Sequence, residues 1–348
     1  MTYICCSMEN QVIKHTNSLK KLQMEPLLPY LEMIDTEIKA TPFPNKSLYE
    51  PMEYILGLGG KRIRPIFTLL GAELAGIPAK DAVNQAVAVE LFHNFSLMHD
   101  DIMDRSDIRR GSPTVHKKWD EPTAILSGDA MMVMAYQCLI KNSFDATTNL
   151  IKVFSKMAIE VCEGQMDDMS FENQTPSKDQ YIEMIRQKTA VLIGASLQIG
   201  FLVGKDDSEA ADRLYRAGVN WGLAFQIKDD YLDLYGDEKI GKKIGGDILA
   251  NKKTLLYIVT REKASAEDLK TLDYWYNTNT IKQTQVSESE KINAVRGLFD
   301  KYNAAEESLT LAKLYFKKGN NLFNELVLPR EPRKTILKLA EMLVERDF

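Results

Sequence analysis

The chain contains 348 residues, of which 45% are hydrophobic and 27% charged, and its formal net charge at pH 7 is −5. This length accommodates one large domain or two, and the acidic balance argues against a nucleic-acid-binding protein. The four cysteines have neither the spacing of a metal site nor that of a secreted disulfide framework, so reduced thiols and a cytoplasmic location are predicted.

The sequence predicts neither a targeting segment nor a membrane span. The first arginine is Arg62, which argues against an arginine-rich transit peptide, and the N-terminus lacks an apolar signal core. The longest apolar segment, Ala190–Val203, contains Ser196 and Gln198 and is too short to cross a bilayer. We therefore expect it to pack inside the fold.

Helical periodicity recurs from about residue 48 to residue 345, and runs with strand-type alternation are few. The chain is therefore predicted to be all-α, a single-domain bundle of roughly ten helices around a central cavity. In chain order, the strongest helical patterns cover Gln85–Asp104, Ala124–Lys141, Asn149–Gly164, Tyr181–Val203, Asp207–Tyr235, Val295–Lys318 and Lys334–Glu345.

A basic turn that contains glycine precedes these helices. It reads Gly59-Gly60-Lys61-Arg62-Ile63-Arg64-Pro65. Taken alone, the turn is typical of a helix C-cap followed by surface charge. It matches neither the Walker A motif nor the dinucleotide-binding glycine pattern, because both would need a different residue at position 62.

The first of the predicted helices ends in an aspartate cluster, Asp100-Asp101-Ile102-Met103-Asp104. Residues i and i+4 of a helix share a face, so Asp100 and Asp104 form a carboxylate patch one turn apart. Close carboxylates repel each other unless a cation lies between them, and a helix C-terminus also disfavours negative charge. Mg²⁺ suits this position because it takes oxygen ligands and is usually completed by substrate phosphates.

A second cluster with the same spacing, Asp229-Asp230-Tyr231-Leu232-Asp233, ends another predicted helix. A basic loop with glycine follows each cluster. Arginine forks and lysine ammonium groups both bind phosphate oxygens. Two such patches facing each other predict a metal-bridged diphosphate held between helices. The basic residues of the two loops are Arg105, Arg109 and Arg110 in the first, and Lys239, Lys242, Lys243, Lys252 and Lys253 in the second.

Taken together, these motifs resemble those of the trans (E-type) isoprenyl diphosphate synthases, which make farnesyl, geranylgeranyl and longer polyprenyl diphosphates. The resemblance runs from about Tyr54 to the C-terminal helices, and it implies a polyprenyl synthetase domain over 26–348 after an N-terminal extension, 1–25. Neither residues 1–25 nor the polar stretch 264–292 matches a family motif. The matching segments are Gly59–Pro65, His93, Leu97–Asp104, Arg109–Gly111, Ser127–Asp129, Gly164–Asp168, Lys188–Thr189 and Phe225–Asp233.

The resemblance also implies a role for each site residue. The direct magnesium ligands would be Asp100, Asp104 and Asp229, assisted by Asp101, Asp230 and Asp233. The allylic diphosphate would be held by Arg109, Lys188 and Lys252. The family has two lysines in the loop after the second cluster: Lys242 or Lys243 matches the first, and Lys252 matches the second better than Lys253 does. The diphosphate of isopentenyl diphosphate would be held by Lys61, Arg64, His93 and Arg110. The charge developing at the reacting carbon would be supported by Thr189 and Gln226.

The implied reaction is the head-to-tail condensation of isopentenyl diphosphate with a dimethylallyl, geranyl or farnesyl diphosphate. Roughly three Mg²⁺ per active site are implied, and Mn²⁺ would substitute. The implied assembly is a homodimer without nucleic acid or a membrane span. Alternatives are a longer-chain polyprenyl diphosphate synthase, a cyclase or head-to-head condensing synthase, and a non-catalytic regulatory subunit of a heteromeric synthase. The basic phosphate-binding elements argue against a cyclase or a head-to-head condensing synthase. The presence of both aspartate clusters argues against a regulatory subunit.

Product length is predicted from the residues before the first cluster. Phe95 and Ser96 stand five and four residues before Asp100. In the family, aromatic residues at both positions accompany a fifteen-carbon product, and small residues at both accompany long products. One aromatic residue therefore predicts farnesyl or geranylgeranyl diphosphate, with a slight preference for twenty carbons. An apolar stripe with helical spacing, Val87, Leu91, Phe95, Met98 and Ile102, runs along the same predicted helix. Phe95 lies about 140° around the helix from Asp100, so a role in packing this stripe, rather than in setting product length, is an open alternative.

Overall fold

The computed structural model describes residues 25–41, 43–44, 47–142, 147–236, 244–277 and 287–344. Helices dominate these residues. The one strand pair among them, β1 (Ile108–Arg109) and β2 (Ser112–Pro113), forms a short antiparallel ribbon. The predicted all-α class is confirmed. The predictions for Lys242 and Lys243 lie outside the described residues, as does nearly all of the predicted N-terminal extension.

The helices are numbered here in chain order. A π-helical turn, Arg186–Ala190, joins α8 directly to α9. The helices are α1 Leu28–Ala40, α2 Glu50–Gly57, α3 Ile63–Leu74, α4 Val83–Met103, α5 Val115–Lys118, α6 Glu121–Ile140, α7 Thr147–Phe171, α8 Lys178–Ile185, α9 Val191–Gly204, α10 Ser208–Tyr235, α11 Gly246–Leu249, α12 Leu255–Lys263, α13 Ala266–Tyr276, α14 Glu288–Lys301, α15 Ala304–Asn324 and α16 Arg330–Val344.

Most predicted helices lie close to their expected positions. Gln85–Asp104 corresponds to α4, and Asp207–Tyr235 corresponds to α10. The prediction of a single helix over Val295–Lys318 is wrong, because α14 ends at Lys301 and α15 begins at Ala304, with Tyr302 and Asn303 between them. Asn303 has a left-handed backbone with φ 55°, a conformation that asparagine tolerates better than most residues and that interrupts an α-helix.

By its internal contacts the chain divides into two compact units. Of the described residues, the first unit comprises those within 25–155, 195–212 and 327–339, and the second comprises those within 156–194, 213–326 and 340–344. Each unit is therefore discontinuous in sequence.

In the first unit, α4 packs against α3 and α6. Its N-terminal half is buried on most sides, and Val87 and Val89 are at most 1% exposed. Glycine lets α3 approach the 195–204 part of α9, since a Cβ atom at Gly200 would lie 1.9 Å from the carbonyl oxygen of Thr68. This core supports the basic turn before α3 and the aspartate cluster at the end of α4.

In the second unit, the indole of Trp221 is fully buried between α10 and α15. Its Nε1 donates a hydrogen bond to Asn320 Oδ1 at 2.9 Å. A Cβ atom at Gly319 would lie 2.6 Å from the ring, so glycine makes the space for it. The core continues through α12, where Leu255–Val259 is buried throughout. The second aspartate cluster lies at the C-terminal end of α10.

Two helical stretches of the described chain are long and apolar enough to cross a membrane, judged by length and composition alone. One, Lys178–Gly204, contains the apolar segment Ala190–Val203 within a run of 27 residues. The length of this helical run therefore does not exclude a membrane span. However, 72% of its apolar window is buried, which agrees with packing inside the protein. The other is α6, in which 33% of the apolar window is buried and Leu126 and Val133 are exposed.

Candidate active site

The first basic turn is built around the buried guanidinium of Arg62. Arg62 has a left-handed backbone (φ 48°) at the start of α3 and is 6% exposed. Its Nη1 donates to Glu90 on α4, and its Nη2 donates to the carbonyl oxygen of Leu56 at 2.8 Å. Burial alone would lower the pKa of Arg62, but the charges of Glu90 and Asp35 raise it. The ion pair anchors the turn, whereas Lys61 beside it is exposed.

Arg64 and His93 form a second contact between the turn and α4. Arg64 Nη1 lies 3.2 Å from His93 Nε2. Arginine can only donate, so Nε2 accepts this hydrogen bond and the neutral imidazole carries its proton on Nδ1. Desolvation and the charges of Arg64 and Arg110 lower the pKa of His93 well below its ordinary value. The histidine therefore stays neutral and orients Arg64.

Arg110 reaches the same turn from the loop after the first aspartate cluster. Its Nη1 donates to the carbonyl oxygen of Gly59, and its own backbone is left-handed with φ 54°. Gly60 has φ 152°, a backbone conformation that favours glycine, and a Cβ atom there would lie 3.0 Å from the Arg110 guanidinium. Desolvation lowers the pKa of Arg110 to about 10, which leaves it charged at neutral pH.

The first aspartate cluster is paired with Arg109 on β1. Arg109 Nε and Nη2 each lie 2.7 Å from an oxygen of Asp101, which makes a bidentate fork. Asp101 is 2% exposed, and burial raises its pKa while Arg109 opposes the rise. Arg109 Nη2 also lies 3.9 Å from Asp100 Oδ2. Asp101 therefore orients the guanidinium beside Asp100, and Asp104 follows at the helix end.

In the second unit, one carboxylate holds two lysines. Lys188 Nζ donates to Asp168 Oδ2 at 2.6 Å, and Lys252 Nζ lies 3.7 Å from the same oxygen. Burial would raise the pKa of Asp168, but the two ammonium groups lower it below its ordinary value. Asp168 therefore orients both ammonium groups, and Lys252 also lies close enough to Asp230 and Asp247 to oppose the rise in their pKa values.

A chain of hydrogen bonds runs from the π turn to the second aspartate cluster. Thr189 Oγ1 donates to Gln226 Oε1 at 3.0 Å, and Gln226 Nε2 donates to Asp230 Oδ1 at 2.7 Å. The other oxygen of Asp230 accepts from the Tyr181 hydroxyl at 2.5 Å. Burial raises the pKa of Asp230, although both donors favour its ionised form. The chain fixes the orientation of Thr189 and Gln226.

Asp233, the last residue of the second cluster, is linked to Asp247 and Gly245 by hydrogen bonds. The Asp247 backbone N–H donates to Asp233 Oδ2 at 2.9 Å, and the Gly245 N–H donates to the Asp233 carbonyl oxygen at 2.8 Å. Burial, and then the charges of Asp230 and Asp233, raise the pKa of Asp247 well above its ordinary value, while Lys252 opposes the rise. This end of α10 therefore gathers more carboxylates than its aspartate motif contains.

Two glycines permit close packing against segments that carry site residues. A Cβ atom at Gly128 on α6 would lie 2.3 Å from Nε2 of His99, the residue before the first cluster. A Cβ atom at Gly164 on α7 would lie 2.3 Å from the backbone nitrogen of Lys188, inside the π turn. An alanine at either position would have to displace that segment.

Lys252 and Lys253 contact different partners. Lys253 Nζ donates to three carbonyl oxygens around the C-terminal end of α7, those of Phe171, Glu172 and Gln174, at 2.8–2.9 Å. A cation there offsets the helix dipole and satisfies carbonyl groups without an intrahelical partner. The geometry thus makes Lys253 an anchor and favours Lys252 as the site lysine.

The sequence pattern predicts magnesium, and the donor set fits that ion. Among the described residues, no group of three His, Cys, Asp or Glu side chains could hold a metal ion by itself. Each cluster offers hard oxygen donors of its own, the carboxylates of Asp100 and Asp104 at the C-terminal end of α4 and those of Asp229 and Asp233 on α10. Two such carboxylates suit Mg²⁺, which keeps waters and is completed by substrate phosphates, rather than zinc in a closed protein cage.

Comparison with known proteins identifies the family. The sequence profile of the polyprenyl synthetase family matches residues 45–292. The geranylgeranyl pyrophosphate synthase of Geoglobus acetivorans is 40% identical over 308 residues, which are 87% of this chain and 92% of that one. The geranylfarnesyl diphosphate synthase of Natronomonas pharaonis is 33% identical, over 86% of this chain and 90% of that one. A crystal structure of a geranylgeranyl pyrophosphate synthase matches with a TM-score of 0.86 at 42% identity, covering 95% and 99% of the two chains. This chain belongs to the polyprenyl synthetase family, and the predicted resemblance is confirmed.

Several residues that shape the site carry no role predicted from the sequence. Glu90 holds Arg62, and its position three residues before His93 on the same helix is a signal that could have identified it. Tyr181 and Asp247 reach the second cluster through tertiary packing, for which the sequence pattern gives no signal. Asp168 lies in a motif segment, but its hold on two lysines appears only in the structure.

We predict that Lys253→Met lowers the free energy of unfolding by about 1–3 kcal/mol, because three carbonyl oxygens lose a charged donor. Lys252→Met, the matched change at the adjacent residue, should lower it by less than about 1 kcal/mol, since Asp168 keeps Lys188. Denaturant unfolding followed by circular dichroism measures both values. Equal losses in the two variants would contradict this division of roles.

Proposed function

We propose that this protein is a short-chain prenyltransferase that condenses isopentenyl diphosphate with an allylic diphosphate, head to tail, to form farnesyl or geranylgeranyl diphosphate. One observation carries the proposal above the others: in each unit, a carboxylate orients a cation near an aspartate cluster. Asp101 holds Arg109 in the first unit, and Asp168 holds Lys188 in the second. Metal-binding oxygens accompanied by oriented cations are what a metal-bound diphosphate requires.

The basic groups around the first turn form the proposed site for the diphosphate of isopentenyl diphosphate. Arg64 is oriented by His93, and Arg110 is held by the carbonyl oxygen of Gly59. Guanidinium groups fixed in this way lose little side-chain entropy when they bind an anion. Lys61 adds a mobile charge from the exposed end of the turn.

The allylic diphosphate is proposed to bind the remaining cations and the metal. When bound, Mg²⁺ neutralises the diphosphate and stabilises it as a leaving group. Asp101, Asp230 and Asp233 act as supporting groups, because each already accepts hydrogen bonds from the protein. The predicted contacts of Lys242 and Lys243 stay predictions. The residues proposed to hold the metal are Asp100, Asp104 and Asp229, and those proposed to hold the diphosphate are Arg109, Lys188 and Lys252.

The proposed reaction begins when the allylic C–O bond breaks and its electron pair passes to the diphosphate. Arg109 and Lys188 stabilise the growing negative charge on that group. Thr189 and Gln226, fixed by their mutual hydrogen bond, direct oxygen dipoles toward the positive carbon. The double bond of isopentenyl diphosphate then attacks this carbon and forms a C–C bond. Loss of a proton to the departing diphosphate restores a double bond and completes the product.

Incubation with labelled isopentenyl diphosphate, each allylic primer and Mg²⁺ tests the proposed function and its metal dependence. We expect labelled product, no turnover in excess EDTA, and recovery when Mg²⁺ or Mn²⁺ is restored. Asp100→Ala and Asp229→Ala should each lower turnover by about 10³-fold or more, because the metal's charge stabilisation is lost. Full turnover in EDTA would contradict the metal role. Failure to form product with any primer would contradict the function itself.

The adjacent arginines should affect different substrates. Arg110→Ala should raise the KM for isopentenyl diphosphate, and Arg109→Ala should raise the KM for the allylic substrate, each by about 10–100-fold through loss of a charge-assisted contact. Arg109→Ala also leaves the buried Asp101 without its fork, so Asp101→Asn with Arg109 intact is the stability control. Steady-state kinetics with one substrate varied at a time separates the effects. Equal weakening of one substrate by both arginine variants would overturn the assignment.

Product length is proposed to depend on Phe95. Its ring is partly buried and lies 5.5 Å from the Phe92 ring and 4.8 Å from the His99 ring, measured between centroids. Ser96 is small, and its hydroxyl donates back to the carbonyl oxygen of His93. The geranylgeranyl pyrophosphate synthase among the relatives favours geranylgeranyl diphosphate, with twenty carbons, over farnesyl diphosphate, with fifteen.

We expect Phe95→Ala to lengthen the product by one or two isoprene units, with unchanged metal dependence. Ser96→Phe, the converse change at the neighbouring position, should shorten the product toward fifteen carbons. Chromatography of the dephosphorylated products measures both. An unchanged product distribution in both variants, with a lower free energy of unfolding for Phe95→Ala, would instead assign Phe95 to the core.

We also propose a cytoplasmic homodimer that packs through α6. Leu126, Val133 and Ile140 recur every seven residues and are 60%, 59% and 46% exposed, which makes an apolar stripe typical of helix pairing. Sedimentation at micromolar concentration should show a dimer, and Leu126→Glu combined with Val133→Glu should shift it to monomer. A monomeric wild-type protein would contradict the proposal.

A further inference from the structure

A buried lysine in the second unit has no role in the proposed condensation reaction. Lys291, in the first turn of α14, is 1% exposed and is the one lysine buried to this degree in the described part of the chain. Its Nζ donates to Asn251 Oδ1 at 2.5 Å and lies 5.6 Å from the centroid of the Tyr276 ring. No carboxylate forms an ion pair with it among the residues that the structure describes. Burial lowers its pKa to about 8.

Stability alone does not account for this lysine. Burying an ammonium group costs free energy unless an opposite charge or several acceptors compensate it. A neutral amide oxygen is a weak compensation, and an apolar side chain of the same length would fill the space without this cost. The contact between Lys291 and Asn251 therefore needs an explanation other than stability.

Asn251 is the last residue before the proposed site lysine, Lys252. It has a left-handed backbone with φ 56°, and its N–H donates to the carbonyl oxygen of Ile248 at 3.1 Å. The next N–H, that of Lys252, donates to the carbonyl oxygen of Asp247 at 2.9 Å. The direction in which the Lys252 side chain leaves the turn is therefore set by the conformation of Asn251.

The first turn of α14 packs directly on this segment. Besides the contact between Lys291 and Asn251, the side chain of Ile292 lies against Gly245, whose added Cβ atom would be 2.9 Å from it. Gly245 and Asp247 are both hydrogen-bonded to Asp233. Adjacent residues of α14 thus contact the segment 245–251 at both ends, Ile292 at Gly245 and Lys291 at Asn251.

We infer that Lys291 is a positioning residue for Lys252: by holding Asn251, it fixes the turn that brings the Lys252 ammonium beside Asp168 and thus to the allylic diphosphate. The inference rests on the proposed function, because it concerns the affinity of that site. Lys291 makes no contact with substrate in this account. Its influence passes through Asn251 and Lys252.

Two variants break the contact from opposite sides. Lys291→Met keeps the length of the side chain and removes the charge, and Asn251→Gly keeps the left-handed backbone and removes the acceptor. Each should raise the KM for the allylic substrate by about 3–30-fold and leave the KM for isopentenyl diphosphate within about twofold. The midpoint denaturant concentration for unfolding of Lys291→Met should equal or exceed that of the wild-type protein. If Lys291 served only to stabilise the fold, its loss would lower this midpoint.

Combination with Lys252→Met shows whether Lys291 acts through Lys252. The double variant, Lys291→Met with Lys252→Met, should have the same allylic KM as Lys252→Met alone, because the positioned group is already gone. Lys301→Met is the matched control: Lys301 lies on the same helix in an exposed pair with Asp268, and its loss should leave all kinetic constants unchanged. The inference would be overturned if Lys291→Met had the wild-type KM for the allylic substrate. It would also be overturned if the increase in allylic KM in the double variant equalled the product of the increases in the two single variants.

Calorimetric binding of inorganic diphosphate in the presence of Mg²⁺ gives a readout that does not need turnover. Lys291→Met and Lys252→Met should weaken this binding by the same factor, and the double variant should weaken it no further. If the wild-type protein binds diphosphate but forms no product, the proposed function fails while this binding comparison still decides the role of Lys291. Wild-type affinity in Lys291→Met would overturn that role.

Discussion

Crowding of carboxylates at the C-terminal ends of two helices is the constraint on which the rest of the structure depends. A helix C-terminus already carries partial negative charge, and each cluster adds three aspartates to it. The protein offsets part of this charge itself: Arg109 grips Asp101, and hydrogen bonds from Tyr181 and Gln226 hold Asp230. A divalent cation is proposed to balance the rest, so metal binding and stability of the helix ends should be coupled.

Neighbouring charged residues in the motifs have two different roles: some stabilise the fold through buried contacts, and others belong to the proposed substrate site. Arg62 is buried against Glu90 while the flanking residues of the turn remain at the site, and Lys253 caps α7 while Lys252 lies beside Asp168. Left-handed backbone conformations accompany this separation, since Arg62, Arg110 and Asn251 all have positive φ. Such conformations cost free energy in residues other than glycine, and surrounding contacts maintain them. The motifs therefore specify backbone shape as much as charge.

Much of the fold was predictable because periodicity and composition report on helices directly. The stripe on α4 and the i, i+4 aspartates identified both the helix and its functional end. The break at Asn303 was missed, because a single asparagine inside an apolar 3.6-residue pattern gives no strong signal. The partners of the site residues were the least predictable part. Tyr181 lies 49 residues from Asp230, and Thr189 lies 37 residues from Gln226, so only tertiary packing brings these partners together.

The central claim is that metal and diphosphate bind together at groups oriented by the protein. Calorimetric titration of inorganic diphosphate into the protein, with and without Mg²⁺, tests it most directly. The account predicts tight binding when both are present, and at least tenfold weaker binding of diphosphate alone, because the aspartates then repel the anion. Reciprocally, diphosphate should strengthen Mg²⁺ binding by the same factor. Equal affinity for diphosphate in the presence and absence of Mg²⁺ would contradict the account.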